Sequence, residues 1–365
     1  MKKFFLILFL FFLVAIVPVS AEDEFSVLPS QYGVVKSIQY IDDDNIHTKQ
    51  IVEIELLKAP FKNKKIITEN VLTGNPYYDI KLKKGSKVVL HVEENEDGLN
   101  FAIMDIYRAN VLTILSLLFA GLLIYVGRKK GLYSLISIVI TALLISHLLA
   151  PMILFGVNPI LGTVLVSLLS TAATMYLVGG FNQKSTSAIL GCVSSIIFAG
   201  LLSFLTVKLA SLNGFSSEHS MFLYSAHPEL NFVGISISTI ILATLGAVMD
   251  VAMSIASTVN EIYELDNTKT VKELFKSGMN VGRDIIGTMA NTLILVYLGS
   301  SLPLLLLSSN IDLQKFMNLN QVVTEISAAL IGSSAIVICV PITAIIASEL
   351  ITKITPKIEL NKIDI

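Results

Sequence analysis

Three patterns of apolar and polar positions follow one another along the chain. Lys2 and Lys3 precede an apolar run from Phe4 to Val17, which ends in Pro18-Val19-Ser20-Ala21. A cationic start, a short apolar stretch and small residues at the end predict a secretory leader over residues 1–21, or an uncleaved anchor that orients the following chain outward in the same way. From Glu22 to Arg108 short alternations take over, at Val34 to Ile41, Gln50 to Leu57 and Lys87 to Val92. Turn-like clusters at Asp42-Asp43-Asp44-Asn45 and Glu93 to Gly98 separate them. A period of two predicts strands, and about five or six of them in residues 22–108 predict a small all-β barrel, OB-like, outside the cell.

After Arg108 the pattern changes to apolar runs of about 20 residues, long enough to cross about 30 Å of hydrocarbon as helix. The fold class expected is a polytopic α-helical membrane protein with about seven spans after the leader. They fall at 110–126, 132–150, 159–178, 186–207, 232–257, 285–307 and 322–348 of a transmembrane domain over 109–351, leaving 352–365 as a cytoplasmic tail. Starting outside, the connections predicted to face inward hold Arg128, Lys129, Lys130, Lys184, Lys269, Lys272, Lys276, Arg283, Lys353, Lys357 and Lys362. Those predicted to face outward hold Lys208 and Lys315. This excess of inward cations fits the leader's orientation and predicts an external N-terminal domain and a cytoplasmic C-terminus.

Composition narrows the function classes. Of 365 residues 53% are hydrophobic and 15% charged, against about 25% charged in ordinary soluble domains, and mean hydropathy is +0.74. A water-soluble globule is excluded, and the lipid bilayer is the first partner. The 26 basic and 28 acidic residues nearly cancel, so there is no electrostatic footprint for nucleic acid. Cys192 and Cys339 both lie inside apolar runs, which argues against a disulfide framework or a thiolate metal centre. No Walker A, His-Glu-x-x-His, Gly-x-Ser-x-Gly or dinucleotide fingerprint occurs, so neither an enzyme nor a cofactor is expected.

Candidate chemistry lies where polar residues are costly. In the fifth span Thr239, Ala243, Gly246, Asp250, Ser254, Ser257 and Glu261 share one helical face, with Ile241, Val248, Ile255 and Val259 opposite. The expectation is that the small polar face meets protein or water and the apolar face meets lipid, because an ionised carboxylate in hydrocarbon costs at least about 2.5 kcal/mol. The sixth span carries Asp284, Thr288 and Asn291 at i, i+4 and i+7, with Arg283 as the expected counter-charge for Asp250 or Asp284. Asp284 could equally be a favourable first-turn charge on a helix dipole. In the seventh span Glu325 begins a small-residue stripe through Ala329, Gly332, Cys339 and Thr343, with Pro341 removing a backbone hydrogen bond. Close packing and an ion site in a polar cavity both remain open readings of these stripes.

Other features are weighed more briefly. Thr270-Val-Lys-Glu273, a capping-box pattern before Leu274, Phe275 and Gly278, predicts a short interfacial helix that ends at the glycine. Glu218-His219 and His227-Pro-Glu229 match no metal spacing, and the Asp42 to Asp44 cluster lacks the glycine and terminal glutamate of a calcium loop. His147 is expected to hydrogen-bond a neighbour. No metal site is assigned.

The segments Gly246-Ala-Val-Met-Asp250-Val-Ala-Met-Ser254 and Ser277-Gly-Met-Asn-Val-Gly-Arg-Asp284-Ile-Ile-Gly-Thr-Met-Ala-Asn291-Thr-Leu-Ile-Leu resemble the YibE/F family of bacterial polytopic membrane proteins. The similarity continues through Glu325, Gly332-Ser333 and Val340-Pro341-Ile-Thr343, and the external domain is like that attached to some members. The resemblance implies a bacterial cytoplasmic membrane and marks the same three spans that the cost argument selects.

The leading functional expectation is a secondary transporter or permease for a small solute or cation. Asp250, Ser254, Arg283, Asp284, Thr288, Asn291 and Glu325 are its candidate ion- or substrate-binding residues, and a second copy or a paralogous subunit is a candidate membrane partner. The alternative is a membrane scaffold or sensor that links the external β domain to a cytosolic partner. A third reading, an intramembrane aspartyl protease built on Asp250 and Asp284, is opposed by Arg283, which would hold the second acid ionised.

Overall fold

The computed structural model describes residues 28–43, 47–95 and 98–354. The leader over 1–21, part of the acidic turn after Asp43 and most of the predicted tail lie outside the described residues. Two compact units divide in sequence between Tyr125 and Val126.

The first unit holds five antiparallel strands, β1 (Leu28–Asp43), β2 (His47–Leu56), β3 (Lys65–Leu72), β4 (Lys87–Asn95) and β5 (Gly98–Ile106), in the order β3-β2-β1-β4-β5. Alternation along β2 points Val52, Ile54 and Leu56 inward, where they meet Val35, Val88, Leu90 and Val92. The two sheet edges then approach each other: the Thr68 hydroxyl on β3 donates to the Phe101 carbonyl on β5 at 2.6 Å. Phe61 and Phe101 pack edge to face beside them, with ring centroids 5.7 Å apart. The result is a nearly closed five-stranded barrel, the architecture expected of residues 22–108. Gly33 lets β1 cross the interior closely, since a Cβ there would collide with the Ile54 side chain.

Helix α1 (Ala109–Leu143) leaves the barrel and runs on through a π-helical turn (Leu144–Leu149) into α2 (Ala150–Leu154). These 46 residues would extend about 70 Å as one rod, more than twice the thickness of a hydrocarbon core. The backbone departs from helix at Arg128 (φ 48°, ψ −126°), between the first two predicted spans. Helices α3 (Pro159–Gly179), α4 (Gln183–Leu209), α5 (Glu218–Ala226), α6 (Phe232–Leu265), α7 (Val271–Ser300), α8 (Leu302–Leu307), α9 (Leu313–Met317) and α10 (Asn320–Ile354) follow. Among the described residues, six helices are long and apolar enough to cross a membrane. Asn158, Asn182, Asn231 and Thr270 each cap the helix that follows with a side-chain oxygen.

In the second unit α6 is the central element, packed against α3, α4, α7 and α10. Its large apolar residues fill space left by small ones. Ile241, Val248 and Ile255 are buried with Ala188, Cys192 and Ala199 of α4 and with Ala335, Cys339 and Ala344 of α10. At Gly191 the α4 backbone approaches Thr343 so closely that a Cβ would collide with its hydroxyl. Small residues at such crossings let membrane helices gain contact area where lipid gives no hydrophobic drive.

Candidate functional site

The α6 face with the greatest chemical capacity lies on the outside of this helical unit. Thr239, Ala243, Gly246, Asp250, Ser254 and Glu261 are exposed and Ser257 is half-buried. Ile241, Val248, Ile255 and Val259 are all fully buried. This overturns the expectation that the apolar side meets lipid, and it leaves the small polar side, expected to meet protein or water, uncovered within this unit. The physical reason is shape: the branched apolar residues interlock with the small residues of α4 and α10, and this packing outweighs placing the small polar side inward. A Cβ at Gly246 would meet nothing within 4 Å, so the stripe is open along its middle.

Helix α7 repeats the arrangement. Its packing side is made of glycines: Gly278 lies against Val259 of α6 and Ala344 of α10, and Gly282 against Ile255 and Val340. Near its far end Leu293 meets Gly332 of α10, which also touches Thr244 of α6. These antiparallel contacts fix the register, with Asp250 about level with Gly287. Asp284, Thr288 and Asn291 therefore lie in the same band of depth as Gly246, Asp250 and Ser254. All three α7 side chains are exposed, on the face opposite Gly282 and Leu293.

The expected ion pair does not form. Among the described residues neither Asp250 nor Asp284 has a cationic partner, and the Arg283 guanidinium instead reaches the Asn280 side-chain oxygen at 3.5 Å. Arg283 is exposed, and among the described residues it makes no ion pair across the hairpin. The short interfacial helix predicted from Thr270 to Gly278 is also corrected. Thr270 and Glu273 do form a reciprocal capping box, but it opens α7, which continues to Ser300. Gly278 serves as a packing position, and Leu274 is buried.

Glu325 is separated from this band. It lines an apolar cavity of about 260 Å³ between the end of α7, α8, α9 and the start of α10, together with Tyr297, Ser301 and Phe316. The Tyr297 hydroxyl is buried there without a hydrogen-bond partner. Helices α6 and α7 thus bring six of the seven candidate residues to one band of depth, but with α10 they do not close a single pocket around them and Glu325. Among the described residues no cluster of His, Cys, Asp or Glu could hold a metal ion. His147 bonds its neighbour Ser146 at 2.7 Å, and His227 contacts Glu229 at 3.2 Å.

One polar feature was missed by the sequence reading. Thr163, Ser167, Ser170 and Thr171 form a buried hydroxyl seam on α3. Ser170 bonds Thr141 of α1 at 2.7 Å, and Thr174, next along the seam, bonds Ser137 at 2.6 Å. Thr163 and Ser167, with Ser238 of α6, have buried hydroxyls without partners. The signal was present as hydroxyls spaced i, i+4, i+7 and i+8, but it carries no charge to draw notice.

Comparison with known proteins places these features in a family frame. A family model described as YibE/F-like protein matches residues 115–353. A second, the YibE/F family N-terminal domain, matches residues 34–106. No curated protein and no solved structure matches the chain.

Proposed function

The chain belongs to the YibE/F family, and from that premise we propose that this membrane protein is a non-enzymatic permease for a small solute or cation, coupled to a proton or cation held at Asp250. The reading is supported above all by one observation: a carboxylate, an exposed serine and an open glycine line an uncovered stripe of a helix that is otherwise the apolar centre of its unit. A charged group at that depth requires water or polar protein beside it. In this reading Asp250 takes up the cation and Ser254 supplies an oxygen. Asp284, Thr288 and Asn291 line the same band, and Arg283 tunes its charge. Glu325 belongs to the opposite entrance. The bacterial cytoplasmic membrane, with the barrel outside and the C-terminus inside, is part of the proposal and rests on the Lys and Arg distribution among the loops.

The test is proton flux, driven by a proton or a sodium gradient, into proteoliposomes that hold a trapped pH-sensitive dye, with the parent protein compared with Asp250→Asn and Asp284→Asn. Loss of gradient-driven flux in Asp250→Asn, with the variant still folded by size-exclusion profile, supports the assignment. Equal flux in parent and variant removes Asp250 from the path.

A further inference from the structure

The base of the barrel surrounds the point where the chain enters the membrane. Helix α1 begins at Ala109 and exposes Val111, Leu112, Ile114, Leu115 and Leu118 around its circumference. A helical stretch that is apolar on nearly every side and left uncovered at these positions by the described residues is a lipid-facing span, so the hydrocarbon boundary lies near residue 110. The headgroup layer extends several Å beyond it, since a bilayer of about 40–45 Å has a core of only about 30 Å. Whatever stands beside Arg108 and Asn110 stands in that layer.

Two grooves of the barrel occupy this position. One, of about 240 Å³, is lined by Tyr32, Tyr107, Lys58 and Lys87 together with Asn110. Its tyrosines pack edge to face with ring centroids 5.1 Å apart, and the Lys58 ammonium lies 5.6 Å from the Tyr32 ring centroid. The other, of about 520 Å³, is lined by Tyr77, Tyr78 and Lys81 together with Arg108. Tyr77 and Tyr78 are 77% and 69% exposed, which in a water-facing loop would leave two large rings uncovered. Two carboxylates also line this groove, and both are engaged by groups of the barrel, Asp79 also feeling the charge of Lys81. Asp79 accepts from the Thr73 backbone at 2.6 Å and from Gly74 at 2.9 Å, and Asp105 pairs with Arg108.

We infer that the barrel base is a docking surface for anionic phospholipid headgroups, in which Tyr77 and Tyr78 enter the interfacial layer and Lys58, Lys81 and Lys87 meet the phosphates. Tyrosine suits this layer because its ring is apolar and its hydroxyl remains hydrated. Lysines on long stems reach a negatively charged surface from the same level. The surface would fix the height of the barrel over the bilayer, whichever leaflet it faces and whatever the helices carry.

The chain contains no tryptophan, so Tyr77→Trp in the full-length protein gives a single fluorescent reporter in nanodiscs of phosphatidylcholine with or without phosphatidylglycerol. Tyr40→Trp, at an exposed site farther along β1, is the control. The expected result is that the indole of the Tyr77→Trp variant is shielded from iodide and quenched by a headgroup spin label, while the indole of the Tyr40→Trp variant behaves in the opposite way. Replacing Lys58, Lys81 and Lys87 together by glutamine should lower the phosphatidylglycerol-to-phosphatidylcholine ratio retained on purification several-fold. Equal iodide quenching of the two variants would overturn the docking geometry. A retained-lipid ratio unchanged by the lysine replacements would overturn the headgroup chemistry.

Discussion

Gly282 of α7 lies directly against Val340 of α10, so that a Cβ added to the glycine would collide with the valine side chain and stand 3.1 Å from Ile255 of α6. Three helices meet at one residue without a side chain. Gly282→Leu should therefore force them apart, at a cost of about 1–3 kcal/mol typical of overpacking, and lower the melting temperature in detergent. Gly246→Ala, where a Cβ meets nothing within 4 Å, should melt at or slightly above the parent temperature, since alanine is the better helix former. Equal melting of both variants would contradict the close approach of α7 and α10.

Gly278 shows how far the sequence could be read here. The capping box at Thr270 and Glu273 was legible because its chemistry is local: a hydroxyl and a carboxylate satisfy the donors of one turn. The glycine after it looked like a helix stop, since a C-terminal turn and a close helix crossing both ask for a residue without Cβ. Only the positions of Val259 and Ala344 distinguish the two, and those come from parts of the chain remote in sequence.

Inside the barrel Asn70 donates to the Gln50 side-chain oxygen at 2.8 Å and to the Ile80 carbonyl at 2.7 Å, with the Asn70 and Gln50 side chains both buried. Asn70→Ala leaves the Gln50 oxygen and the Ile80 carbonyl without this donor, which costs about 1–3 kcal/mol for an orphaned polar group. Limited proteolysis of the full-length protein should cut within 28–106 faster in the variant. Unchanged cleavage would mean that water replaces the amide without loss.

On the outer side of β2 the Glu53 carboxylate is held below its ordinary value of 4.5, first by the hydrogen bond from Lys65 at 3.0 Å and then by that from Ser37 at 2.9 Å. Lys65 is held above 10.5 by the same bond. A lowered carboxylate stabilises the fold above its unfolded value, and this contribution disappears as pH falls from about 4.5 through the lower folded value. The raised ammonium contributes below 10.5 and is lost as pH rises through its higher folded value. Glu53→Gln should therefore flatten part of the acid limb of a proteolysis-against-pH profile and leave its shape unaltered between pH values of about 6 and 8. An acid limb identical to the parent's would show the pair contributes nothing.

Helical periodicity grouped Asp250 with Gly246 and Ser254 correctly, but it could not say which side of α6 is covered, because that depends on the small residues of α4 and α10 that accept Ile241, Val248 and Ile255. The uncovered stripe yields the most direct experiment. Cys192 and Cys339 are both fully buried, so the native chain should react little with a membrane-impermeant maleimide, and single cysteines can be added without removing them. Gly246→Cys and Ser254→Cys should label readily in intact proteoliposomes if water reaches the stripe, whereas Val248→Cys, on the opposite and buried side, should remain unlabelled until the protein is denatured. Protection of all three positions would place lipid or a second chain over Asp250, and the permease reading would then require its water path along the buried hydroxyls of α3.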